Sequence, residues 1–261
     1  MSPISETAAT AAIGAAAREL KLPTVRTESG RIAADATKER LGYLPFLAEV
    51  LSGEVDERSQ RRRTRRISEA RFPRLKRLGD FDVDAASETI TPAMIASLAS
   101  GSFMDAATPV VFLGDSGTGK SHLLIGTGVA ACEAGKRVRY VTCAQLVNEL
   151  VEAADDKQLA RTVARYGRLD LLCLDELAYV HLDPKGAELL FQVITEREEK
   201  SSVAVASNAP FSEWGQVFTD PRLVAAVVDR LTFNALIIET GSASYRLRST
   251  RAQRTGAAKR L

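Results

Sequence analysis

The chain has 261 residues, 45% hydrophobic and 26% charged, and a formal net charge of +2; this accommodates one α/β domain of ordinary size plus a small accessory region, and any anionic partner must be argued from where the charges sit. Cys132, Cys143 and Cys173 lack C-x-x-C spacing and His122 and His181 lie far apart, which argues against a disulfide framework or a zinc site. The Ala-rich start, residues 8–17, has no basic residue before it and no apolar run able to span a bilayer, so a cytoplasmic, reducing location without a membrane partner is expected.

Residues 8–72 read as helix, with elements expected at Ala11–Lys21, Glu28–Leu41 and Leu44–Arg71. Leu44, Leu47, Leu51 and Val55 recur at spacings of three and four, an apolar stripe expected to pack on the first two helices. Further along, Arg58, Arg61, Arg62, Arg65 and Arg66 keep that spacing while Arg63 lies off the row. Such a comb suits a phosphate backbone, so residues 1–72 are read as a small all-α DNA-binding or adaptor domain. A solvated basic face is the plainer alternative. Arg71, Arg74, Lys76 and Arg77 extend the basic run through Phe72-Pro73, where proline ends the helix and the next domain, 73–247, begins.

From Pro109 onward short β-branched runs alternate with helical stretches, as in a parallel sheet wrapped by crossover helices. Five strands are expected: Val110–Leu113, Arg137–Val141, Leu169–Leu174, Val203–Ala206 and Ala235–Glu239. Residues 248–261 are polar and basic without apolar periodicity, the composition of a disordered tail.

The first strand runs into Gly114-Asp115-Ser116-Gly117-Thr118-Gly119-Lys120-Ser121, and a helical run follows. In that order of strand, loop and helix the glycines let successive N–H groups face the phosphates of ATP, Lys120 neutralises the terminal phosphates and Ser121 ligates Mg2+. The neighbouring His122 reads as a packing or surface residue. Leu171 to Leu174 lead into Asp175 and Glu176; an acid at a strand's end beside the phosphate loop can hold magnesium, and the next can polarise a water. Asp175 is therefore assigned to the metal and Glu176 to the water. Asn208, at the tip of the fourth strand, Arg230 and Arg246 are polar residues whose roles the local pattern leaves open.

Taken with Leu177-Ala178-Tyr179, Ser207 to Trp214 (S-N-A-P-F-S-E-W), Asp229-Arg230-Leu231 and Ser244-Tyr245-Arg246-Leu247, these motifs resemble the IstB-like family, ATP-binding helpers of insertion-sequence transposition related to the DnaC helicase loaders within the AAA+ ATPases. The resemblance extends over nearly the whole chain. It implies an AAA+ P-loop fold with a five-stranded parallel sheet, Asn208 as sensor 1, Arg230 as an arginine finger reaching a neighbouring subunit, and Arg246 as sensor 2. Duplex DNA, a cognate transposase and an ATP-dependent homo-oligomer are the implied partners. Only about twenty residues follow the last strand, so the lid domain is expected to be reduced or absent. A DnaC-like replicative helicase loader is the alternative client assignment, and a DNA-coating protein that uses ATP only as a switch is a third reading.

Overall fold

The computed structural model describes residues 5–179, 181–218, 220–242 and 244–245. It divides into two compact units, 1–65 and 66–261.

In the first unit α1 (Glu6–Glu19) and α2 (Pro23–Glu39) precede α3 (Tyr43–Ala70), whose last residues belong to the second unit. Ser5 caps α1 by accepting a hydrogen bond from the Ala8 N–H, whereas Leu22 at the start of α2 offers no side-chain cap. Glu54 of α3 supplies it: Oε2 accepts from the N–H groups of Thr24 at 2.8 Å and Val25 at 3.1 Å, and Oε1 accepts from Arg58 Nε at 2.8 Å. Burial alone would raise the Glu54 carboxyl pKa, but these hydrogen bonds together hold it below the usual carboxylate value.

The same contact decides which face of α3 is buried. Val50 and Glu54 are buried and Phe46 half-buried, while Leu44 is 79% and Val55 61% exposed, with Leu47 and Leu51 exposed as well. The apolar stripe expected to pack on the first two helices is therefore turned away from them. Spacing identifies a face that would gain from burial; here the capping carboxylate fixes the rotation of the helix instead.

The second unit is a parallel sheet of β1 (Val110–Leu113), β2 (Val138–Thr142), β3 (Leu171–Asp175), β4 (Ser202–Ser207) and β5 (Leu236–Glu239), in the order β2-β3-β4-β1-β5. Helices α4 (Pro92–Ser100), α5 (Lys120–Glu133), α6 (Cys143–Asp155), α7 (Leu159–Gly167), α8 (Pro184–Arg197) and α9 (Pro221–Thr232) surround it. Strand residues alternate between two cores. Phe112, Leu171, Cys173 and Ala204 pack with Leu123, Leu124 and Leu98 on one face, and Leu172, Leu174, Val203 and Val205 pack with Leu146, Leu150, Leu190 and Leu231 on the other. Burial on both faces is why these strands read as continuous apolar runs. All five fall within two residues of their expected positions.

Candidate functional site

The loop after β1 is shaped by its glycines. Gly114, Gly117 and Gly119 have φ of 145°, 84° and 106°, a region that favours glycine. Close contacts add to the requirement: a Cβ at Gly114 would lie 2.4 Å from Thr240 Oγ1, and one at Gly119 would lie 2.8 Å from the Phe81 ring. Gly119 is the N-cap of α5 and provides no capping side chain, so the loop leads directly into the positive end of that helix, the kind of position that favours an anion. Lys120 Nζ donates to the Asp115 carbonyl at 2.7 Å, folding the lysine over the loop.

A second segment braces this loop. Beyond β5, Thr240 donates its N–H to Leu113 O at 2.7 Å and its hydroxyl to the same oxygen at 3.0 Å, and the Thr118 and Thr240 hydroxyls lie 2.6 Å apart. Asp115 N–H donates to Gly241 O, and Tyr245 N–H to Gly117 O. Nothing in the local sequence marks Thr240 or Gly241, because their contacts exist only once β5 pairs with β1.

At the end of β3, Asp175 is buried, and each of its carboxylate oxygens accepts one hydrogen bond. Its Oδ2 accepts from the Tyr140 hydroxyl at 2.8 Å and its Oδ1 from the Glu176 N–H at 2.9 Å. Burial, then the Asp175 charge, raise the Tyr140 hydroxyl pKa above its ordinary value, which keeps the phenol a donor. Tyr140 is a site residue that sequence reasoning missed; within β2 it reads as one more buried aromatic. Glu176 turns the chain at φ 60°, so that Leu177 is buried and donates to Ala206 O while Glu176 stays exposed.

Between β1 and β3 lies β4, and Leu113 is in register with Ser207. Asn208 therefore emerges at the level of Gly114, flanked by the phosphate loop on one side and the acidic pair on the other. Two strand spacings separate those elements, about 10 Å, the scale on which a nucleotide's phosphates and a metal shell can be shared. Buried Trp214 donates through Nε1 to Ser207 Oγ at 3.2 Å, so the aromatic end of the S-N-A-P-F-S-E-W stretch anchors the turn and Asn208 is left exposed.

Residues 15–253 match the family described as IstB-like ATP binding protein. The chain belongs to that family. An insertion-sequence ATP-binding protein of Sinorhizobium fredii (strain NBRC 101917 / NGR234) is 36% identical over 95% of this chain and 84% of its own length. One from Geobacillus stearothermophilus is 33% identical over 90% and 93%. Among solved structures, AMPPCP-bound DnaA from Aquifex aeolicus has a TM-score of 0.53 at 22% identity, covering 63% of this chain and 50% of DnaA. The DnaC helicase loader has a TM-score of 0.51 at 16% identity, covering 63% and 96%. The fold of this IstB-like protein is the AAA+ P-loop fold, and the protein is an ATPase.

Among the described residues of the ATPase unit, Arg230 does not join that cluster. Arg230, on α9, lines a cavity of about 200 Å3 with Pro109 and Val203, at the N-terminal ends of β1 and β4 and thus the far end of the sheet from Gly114. Its Nε lies 2.9 Å from Glu198 Oε2, without hydrogen-bond alignment, and its guanidinium sits 4.7 Å over the Phe191 ring. Arg246, proposed as sensor 2, and the tail at 248–261 lie outside the described residues. Within the arginine comb Arg58 and Arg61 pair with Glu54 and Glu57, Arg62 and Arg65 are exposed, and Arg66 belongs to the second unit, 3.7 Å from Glu69.

Proposed function

We propose that this IstB-like ATPase is magnesium-dependent, assembles on duplex DNA and assists a transposase in target selection. The observation that carries the reading is the convergence of the phosphate loop, Asn208 and Asp175-Glu176 at the C-terminal tips of three adjacent strands, in a chain whose relatives are insertion-sequence proteins. The backbone of Gly114 to Ser121 would cradle the phosphates and Lys120 would neutralise them. Ser121 and Asp175 provide the oxygen ligands that magnesium prefers, and bound magnesium would offset charge on the phosphates. Glu176, exposed beside buried Asp175, would orient and polarise the attacking water, with Asn208 holding the γ-phosphate or that water. Arg230 would complete a neighbour's site in a homo-oligomer, Arg246 would act as sensor 2, and the comb from Arg58 to Arg66 would follow the DNA backbone.

The test is ATP turnover with and without duplex DNA, followed by particle size under the same conditions. Turnover and assembly that both require duplex DNA support the transposition helper. The exposed Leu44–Val55 stripe favours a second reading, a protein client of the helicase-loader kind. Turnover indifferent to duplex DNA would select that reading.

A further inference from the structure

Edge strand β2 pairs with β3 alone among the described strands. Beside it runs an open groove of about 560 Å3, lined by Arg66, Arg71, Arg137, Arg139 and Arg165, with only Glu69 and Glu149 as lining carboxylates. All of these residues belong to the ATPase unit. We propose that this groove seats the phosphate backbone of duplex DNA, a contact that shares Arg66 with the end of the α3 comb and otherwise uses residues of the ATPase unit outside it; the inference rests on the DNA reading given above.

The carboxylates do not neutralise the groove. Glu149 accepts from the buried Tyr166 hydroxyl at 2.5 Å and pairs with Arg165, Asp170, which does not itself line the groove, pairs with Arg137 at 3.3 Å, and Glu69 lies 3.7 Å from Arg66. Arginines still outnumber these three acids by two. Helix α7 extends the cationic surface, since Arg161, Arg165 and Arg168 are exposed and recur at four and three, a row about 10 Å long.

A phosphate backbone fits this wall better than a protein does. Val138 and Tyr166 are buried and Leu169 half-buried, so the groove presents no large apolar anchor of the kind that dominates protein interfaces. Guanidinium groups, by contrast, match phosphate oxygens in planar, two-pronged contacts.

The experiment measures anisotropy of labelled duplexes of unrelated sequence across a salt series, using the full chain carrying Arg71→Gln, Arg139→Gln and Arg168→Gln. None of these positions lies in the nucleotide site, so binding of a fluorescent ATP analogue should be retained. The expected result is weaker binding on every duplex and a log–log salt slope lower by roughly two to three units, at about 0.9 per phosphate contact. Arg168→Glu alone, at an exposed position, should weaken binding in the same direction and covers the case in which the triple variant misfolds. An unchanged slope in both variants, while Arg61→Ala with Arg65→Ala lowers it, would overturn the groove and leave the DNA reading intact. No salt-dependent DNA binding by the unsubstituted protein would overturn the DNA reading itself. Unaltered DNA binding with lost binding of an acidic polypeptide such as polyglutamate would reassign the groove to a protein and overturn the proposal.

Discussion

Asp175 and Tyr140 show what can and cannot be found by reading along a chain. The acid follows an apolar strand, a local pattern, so its position was legible; the tyrosine that donates to it lies 35 residues earlier and becomes its neighbour only through β2–β3 pairing. Tyr140→Phe keeps the ring and removes the donor, leaving a buried carboxylate oxygen short of a partner. We expect the magnesium concentration for half-maximal ATP-analogue binding to rise several-fold while the melting temperature moves by only a few degrees, readable by titration and calorimetry. Unchanged metal dependence would reduce Tyr140 to a packing residue. The two groups with separate tasks on phosphate and water should separate experimentally. Lys120→Ala should lose nucleotide binding, whereas Glu176→Gln should bind ATP and turn over at least a hundredfold more slowly. Normal turnover in Glu176→Gln would remove it from the site.

At the scale of elements, strands were legible because burial on both faces leaves a compositional mark that needs no partner to be identified. The orientation of α3 was not, since two faces of that helix carry apolar residues and the deciding contact is Glu54 on the N-terminus of α2, some thirty residues away. That contact has a pH signature. The Glu54 carboxyl is lowered in the folded chain from an ordinary value of 4.5, so its contribution is complete above about pH 4.5 and is lost as pH falls through the lower folded value. Acid titration followed by circular dichroism should show helix loss in the N-terminal unit below pH 4.5. Glu54→Gln should flatten that step and lower stability at pH 7 by about 1–3 kcal/mol; an identical acid profile in the variant would show that another group carries the transition.

At the scale of the whole molecule, a role that depends on a neighbouring subunit has no local mark in one chain, which is why neither sequence nor fold fixes a role for Arg230. Its position is nonetheless informative. Arg230 lines the cavity beside Pro109, and the phosphate loop begins after Leu113, so the length of β1, about 13 Å, separates their levels along the sheet. Glu198 and Phe191 hold the guanidinium where it is. A cis role would need the helix to move, whereas a head-to-tail contact between subunits brings one end of a sheet toward a neighbour's other end without distortion. Arg230→Ala should accordingly bind ATP almost normally and, lacking the charge that offsets the transition state, hydrolyse it slower by three orders of magnitude or so. Mixing it one-to-one with Glu176→Gln provides the decisive measurement. An active interface then needs Glu176 from the Arg230→Ala subunit and Arg230 from the Glu176→Gln subunit, which random assembly supplies at about a quarter of the contacts. Turnover of the mixture should therefore recover to roughly that fraction of the unsubstituted rate, at protein concentrations where assembly is complete. A mixture as inactive as its two components would place Arg230 in cis or outside catalysis, and its pairing with Glu198 would then be a structural link between α8 and α9.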